Sequence, residues 1–161
     1  MLQTAIELLN VRPGARYVDC TLGAGGHAAA ILAGCLPGGS LLGIEADPMA
    51  IEAAGMKLEQ YGSAVVLVND NFGNLEEICH SRHFYPVDGI LFDLGLSSLQ
   101  LEDPARGFSF RFDAPLDMRF SPGQPLTAVI GVEGQGVPAA ALIGVVGFLE
   151  APRRAHHAVF E

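Results

Sequence analysis

Four short apolar runs, at Tyr17-Val18, Leu41 to Ile44, Val65 to Val68 and Val87 to Phe92, alternate with segments of helical spacing or helix-forming composition. This alternation constrains the fold most, because strands interleaved with helices build a parallel, doubly wound sheet covered on its faces. The opening unit is a helix carrying Leu2, Ala5, Ile6 and Leu9, stopped before Pro13-Gly14, with the first strand behind that turn. Next come the Gly-rich stretch TLGAGGHA, an Ala-rich helix to about Gly34, a PGGS turn and the strand LLGIEA. Asp47-Pro48 supplies an N-cap and a proline at the first helical position for a helix running to about Tyr61. Asn74 is placed to cap a short helix with Glu76 and Glu77 in its first turn.

Composition narrows the classes. Of 161 residues 50% are hydrophobic and 17% charged, which suits one compact domain and argues against intrinsic disorder. With 18 acidic residues against 9 Lys plus Arg, the net charge of -9 repels nucleic-acid backbone, so any RNA partner has to be gripped locally. Cys20, Cys35 and Cys79 are an odd number without a close pair, which supports neither a disulfide framework nor a Cys-rich zinc site. A reducing, cytoplasmic setting is expected. The N-terminus MLQTAIELLN lacks the basic stretch and cleavage site of a signal peptide. The longest apolar stretch, Val137 to Phe148, falls short of the roughly 20 residues that span a bilayer, so no membrane association is expected. His80 and His83 stand at i, i+3 without further ligands nearby and read as a surface pair, so no metal is expected.

The chemistry concentrates in Asp19-Cys-Thr-Leu-Gly-Ala-Gly-Gly-His27, where the first strand turns into a helix. Doubly wound folds bind nucleotides at such a turn. Gly23, Gly25 and Gly26 leave room for a ligand against backbone, and the helix start behind them offers unpaired N–H groups. The same pattern serves as a tight turn with no ligand, and Gly23-x-Gly25-x-x-Ala28 also satisfies the short dinucleotide fingerprint. Glu45, ending the second strand about 20 residues on, is placed to bind both hydroxyls of a ribose, or is a solvated strand end. Asn69-Asp70-Asn71-Phe72 follows the third strand and offers the polar groups and aromatic of an adenine pocket, although Phe72 also suits the core. The fourth strand ends at Asp93, so Asp19, Glu45, Asp70 and Asp93 all fall at the carboxyl ends of successive strands.

The segments GAGGHA, IEADP, NDNFGNL, DGILFDLGLSSLQLEDPARGFSFRFDAPLDMR and LTA together resemble the RsmH/MraW family of S-adenosylmethionine-dependent ribosomal RNA methyltransferases, over roughly Leu2 to Ala128. The resemblance implies a Rossmann-like sheet of the class I methyltransferase type, S-adenosylmethionine as methyl donor, and N4 of a cytidine in small-subunit (16S) rRNA as acceptor. The expected partner is that rRNA in the small subunit or its precursor. By position it implies donor contacts at Gly25, Gly26, His27, Glu45, Phe72, Asp93 and Gln100. Asp93 is also the candidate catalytic group, since an acceptor for an N4 hydrogen localises the amine lone pair and steadies developing charge. Glu45 stands where the family usually has Asp, the usual HxPV-type lead into the first helix is absent, and DLG lacks the consecutive prolines of the usual amino-methyltransferase motif.

Phe108, Phe110 and Phe112 alternate in GFSFRFD, with Arg106, Arg111 and Arg119 nearby. Phe108, Phe110 and Arg111 are the candidates for stacking an extruded base and holding phosphate, against a plain strand with one aromatic core face. Residues 1–128 are read as the methyltransferase domain, incomplete on its C-terminal side. Residues 129–161, rich in Gly, Ala and Val, are read as an atypical tail outside the family pattern, its Arg153, Arg154, His156 and His157 a solvated end. The rival readings are an NAD-dependent oxidoreductase using the same glycine loop and a non-catalytic remnant that binds the donor without turnover.

Overall fold

The structure, a computed structural model, describes residues 2–128 and the backbone of Ala158–Val159. The expectations for residues 129–157 lie outside the described residues. The chain divides into two units, Met1–Leu94 with Ala155–Glu161, and Gly95–Arg154.

In the first unit the order is α1 (Leu2–Leu8), β1 (Arg16–Asp19), α2 (Gly26–Cys35), β2 (Ser40–Glu45), α3 (Pro48–Leu58), β3 (Val65–Asn69), α4 (Leu75–Ser81) and β4 (Gly89–Leu91). The sheet runs β3-β2-β1-β4, with the two-residue β5 (Ala158–Val159) beside β4, and every pairing is parallel. The expected α/β, doubly wound parallel architecture is therefore present. Parallel order fixes the site, because every strand delivers its carboxyl end to one edge. The sequence order reverses at β1, whose neighbours are β2 and β4, and such a switch point opens a crevice at that edge.

Two apolar clusters cover the sheet's two faces. One packs Tyr17, Leu41 and Leu91 with Ile31 and Leu32 of α2 and Ala54 and Leu58 of α3. The other gathers Val18, Leu42 and Ile44 with Ile78 of α4 and Phe84. The alternation Tyr17/Val18 and Leu41/Leu42 between clusters is the period of two expected of strands buried on both faces. At the amino edge, Asp88 accepts from the Arg12 guanidinium at 2.6 Å and from the Arg16 N–H at 2.9 Å. The Arg16 guanidinium donates to the carbonyls of Tyr85 and His83 and lies 4.3 Å over the Phe84 ring. These contacts lock β1 to the start of β4, far along the strands from the carboxyl edge.

Three local expectations need correction. The third helix stops at Leu58, and Glu59–Ala64 continues in 3-10 turns with Gly62 outside helical geometry. Asn74 makes no side-chain cap. Its Nδ2 donates instead to Asp70 Oδ1 at 2.9 Å, while Asn71 caps the preceding turn by accepting from Gly73 N–H at 2.7 Å. The run Val87 to Phe92 yields only the three-residue β4, because Asp88 is spent on the arginines and Phe92 turns against Phe72.

Gly39 marks the α2-to-β2 turn, where a Cβ would collide with the carbonyls of Cys35 and Ala15. Both are backbone atoms with no room to yield, so Gly39→Ala is expected to destabilise the chain by about 1–3 kcal/mol, as overpacking does. Urea unfolding of the two proteins measures this; equal midpoints would show that the turn can open without cost.

Candidate donor-binding site

The site begins with a buried carboxylate. Asp19 ends β1 and is 1% exposed, with Oδ1 accepting from the N–H of Thr21 at 3.1 Å and from its hydroxyl at 3.5 Å. Its Oδ2 is buried and has no protein partner. Burial, helped by the charges of Asp93 and Glu45, raises the Asp19 carboxyl from 3.8 to about 7. A buried polar atom without a protein partner, at the carboxyl edge of a parallel sheet, makes Asp19 a candidate binding group.

Around Asp19 the glycine loop folds into a tight turn. Leu22 anchors it, with its N–H on the Ile44 carbonyl at 3.1 Å and its own carbonyl accepting from Gly25 N–H at 2.8 Å. Gly25 precedes α2 in the left-handed region at φ 76°, where an added Cβ would also press on Leu58. Gly26, the first residue of α2, is exposed, and a Cβ there meets nothing within 4 Å. Open space therefore adjoins the first N–H groups of a ten-residue helix, which its own ladder leaves unpaired.

Glu45, at the end of β2, reaches back under this loop. Its Oε2 accepts from Gly23 N–H at 2.8 Å and its Oε1 from Asp47 N–H at 2.9 Å. Each carboxylate oxygen keeps a second lone pair, so Glu45 both holds the loop and retains capacity for two hydroxyls. Glu45 thereby links the end of β2 to Gly23.

Asp93 stands two residues past β4, with its side chain 49% exposed and Oδ2 3.6 Å from His27 Nδ1. The pair is ionic whenever His27 is protonated. At the next strand end Asp70 accepts from Asn71 N–H at 2.6 Å, and Asn69 Nδ2 donates to the Glu45 carbonyl at 2.7 Å. Phe72 is partly buried, edge-on to Phe92 with ring centroids 5.7 Å apart, so it belongs to the apolar cluster while bordering the edge. The structure thus brings Gly25, Gly26, His27, Glu45 and Asp93 to one edge. Thr21, not singled out from the sequence, joins Asp19 to Asp93 there: the N–H of Asp93 donates to Thr21 Oγ1 at 2.7 Å. The available signal was a hydroxyl two residues after a strand-end Asp, a spacing at which backbone and side chain bond back to the carboxylate.

The second unit holds the other candidates. Gln100 is buried in α5 (Ser98–Glu102), where its Oε1 accepts from Ser97 N–H at 3.0 Å and Ser97 Oγ accepts from Gln100 N–H at 3.2 Å, a capping box. The alternating phenylalanines form no strand: Phe108 is 6% exposed and 5.5 Å from Phe120, whereas Phe110 is fully exposed and Phe112 largely so. Arg106 donates to the carbonyls of Arg119 and Phe120, and Arg119 grips Asp117 with two bonds of 2.8 and 2.7 Å. Those two arginines fasten their own loop. Arg111 and Phe110 remain exposed.

The raised Asp19 carboxyl has a consequence for stability. The folded chain keeps this proton in a range where the unfolded chain releases it, so the stabilisation is complete below about pH 4 and is lost as pH rises toward 7. Each tenfold difference in proton affinity between the folded and unfolded chain is worth about 1.4 kcal/mol, so the loss is on the order of a few kcal/mol. Urea unfolding at pH 4.5 and 7.5 is expected to show wild type losing stability between the two pH values and Asp19→Asn losing much less. Equal losses would place the titration elsewhere.

The model of the MraW methylase family matches residues 1–143. A ribosomal RNA small subunit methyltransferase H of Dehalococcoides mccartyi is 59% identical over 137 residues, covering 85% of this chain and 39% of that protein. The protein of the same name from Thermomicrobium roseum is 48% identical over 132 residues, covering 81% and 40%. The chain thus spans about two fifths of the length of these curated relatives. Among solved structures, an rRNA methylase of Clostridium thermocellum aligns with a TM-score of 0.51 and 25% identity over 60% of this chain and 52% of that one. Matched over most of its length by the family model, the chain belongs to the MraW methylase family.

Proposed function

We propose that the chain binds S-adenosylmethionine at the carboxyl edge of its sheet and serves methyl transfer to N4 of a cytidine in small-subunit (16S) rRNA. The observation that carries the donor site is the buried Asp19 with its open Oδ2, set beside Glu45, Asp93 and the uncovered start of α2. These residues fit an adenosyl sulfonium amino acid. Asp19 is an anionic partner for a cationic group, the α2 N–H groups suit a carboxylate, Glu45 suits ribose hydroxyls, and Phe72 borders the space for adenine. Family membership supports the same donor, and relatives named as ribosomal RNA small subunit methyltransferases support rRNA as the acceptor.

S-adenosylmethionine supplies an electrophilic methyl group on a sulfonium. The chain's task is then orientation. Cytosine N4 is a poor nucleophile because its lone pair is delocalised into the ring. A half-exposed carboxylate such as Asp93 accepts an N4 hydrogen, turns the lone pair toward the methyl carbon and offsets the charge that develops. His27 Nδ1 lies 3.6 Å from that carboxylate and pairs with it when the ring is protonated. Within the second unit Phe110 and Arg111 are adjacent and exposed and suit stacking on an RNA base and holding a phosphate, while Phe108 is buried against Phe120. With a net charge of -9 the chain needs a shaped acceptor rather than free RNA, which favours rRNA within a ribosomal particle.

Isothermal titration calorimetry tests the donor site. S-adenosylhomocysteine is expected to bind and NAD not to, and Glu45→Ala should weaken binding by about 1–3 kcal/mol, roughly 5- to 150-fold, through lost hydroxyl acceptors and a loosened Gly23 loop. Binding of NAD without the S-adenosyl ligand overturns the reading. In a complete family member, the Asn substitution at the position of Asp93 is expected to lower single-turnover methylation by roughly 100-fold or more. Loss of donor affinity with unchanged single-turnover chemistry would restrict Asp93 to binding.

A further inference from the structure

We propose that Thr21 is a positioning residue: its hydroxyl, held between the Asp19 carboxylate on β1 and the Asp93 N–H beyond β4, sets where the Asp93 carboxylate stands. The proposed donor site gives this arrangement its purpose, but the geometry stands without it. The backbone pairing of β1 with β4 ends at Asp19 opposite Leu91, followed by Cys20 N–H on the Leu91 carbonyl at 2.9 Å. Past that point the two strands diverge, and the Thr21 side chain supplies the next connection, accepting from Asp93 N–H at 2.7 Å. A hydroxyl has one hydrogen. With a lone pair given to Asp93, Thr21 turns that hydrogen toward Asp19 Oδ1 at 3.5 Å, while its own N–H reaches the same oxygen at 3.1 Å.

The chain of bonds runs from a buried acid to an exposed one. A hydroxyl bond to an ionised carboxylate is stronger than one to the neutral acid, and bonds in series polarise one another. The proton on Asp19 therefore alters how firmly the Asp93 main chain is held. Asp19 is faced by Glu45 from the end of β2, by Asp93 from beyond β4 and by Cys20 next to it just past β1, while His27 at the start of α2 lies near Asp93. All three acidic residues stand at the same strand edge, and Thr21 bonds the Asp19 carboxylate on one side and the Asp93 main-chain N–H on the other.

Nuclear magnetic resonance of the full chain without ligand tests the coupling directly. Between pH 5 and 8.5 the Asp93 amide resonance is expected to move with the midpoint read from the Asp19 carboxyl carbon. In Thr21→Val, which keeps the volume and the nearby charges but not the hydroxyl, that response should fall by more than half, and Thr21→Ser should restore it. An undiminished response in folded Thr21→Val overturns the proposal. Thr21→Ala serves if the valine does not fold. If neither folds, Asp19→Asn decides: the Asp93 response is expected to vanish, and its persistence overturns the proposal. Calorimetry with S-adenosylhomocysteine then measures the effect on the site, with about tenfold weaker binding expected for Thr21→Val and less than twofold for Thr21→Ser. Equal affinity in all three proteins denies the positioning role. If wild type binds no S-adenosyl ligand, the donor-site reading fails, while the Asp93 amide still decides the coupling.

Discussion

Parallel pairing on both sides of β1 is the constraint from which the rest of this structure follows. Because β2 and β4 flank β1 in the same direction, residues scattered over 75 positions of sequence, from Asp19 to Asp93, arrive at one edge. Antiparallel pairing would have sent half of them to the opposite end. The amino edge carries its charged residues differently: Arg12, Arg16 and Asp88 are spent on one another and on backbone carbonyls. At the carboxyl edge the acids keep unused lone pairs, and Asp19 keeps an entire oxygen. The contrast separates a stabilising end of the sheet from a binding end.

At the carboxyl edge side chains extend the backbone bonds that join Cys20 to Leu91, Leu22 to Ile44 and Asp70 to Glu45. Glu45 ties β2 to the glycine loop, Thr21 ties β1 to the segment after β4, and Asn69 ties β3 to the Glu45 carbonyl. Each of these contacts joins neighbouring strands just where backbone pairing ends. Removing one should therefore disturb the placement of site residues more than the stability of the core, most of whose apolar residues come from the strands and helices themselves.

Much of this was legible in the residues. The alternation of apolar runs with helical segments fixed the class, since Val and Ile runs bounded by Gly and Pro leave few alternatives, and Asp47-Pro48 capped α3 as expected, with Asp47 accepting from Met49 N–H at 3.0 Å. The strand-end acids were readable because a parallel sheet makes their convergence automatic. Asn74 failed as a cap because two asparagines and an aspartate in five residues compete for the same turn, and only tertiary placement decides which one wins. GFSFRFD failed as a strand because its alternation had no neighbouring strand to pair with among the described residues, and Arg106 and Arg119 drew the loop onto its own carbonyls. Thr21 went unnoticed since nothing local shows that Asp93, 72 residues away, will supply the donor.

The central claim is that one strand edge, organised by Asp19, Glu45 and Asp93, receives the methyl donor. Amide chemical-shift mapping of the chain with S-adenosylhomocysteine measures this most directly. The account expects the largest changes at residues 21–27, 45–47, 69–72 and 93–94, with little change at the Arg12, Arg16 and Asp88 cluster. Changes centred on that amino edge, or spread over the molecule without a focus at the glycine loop, would contradict it.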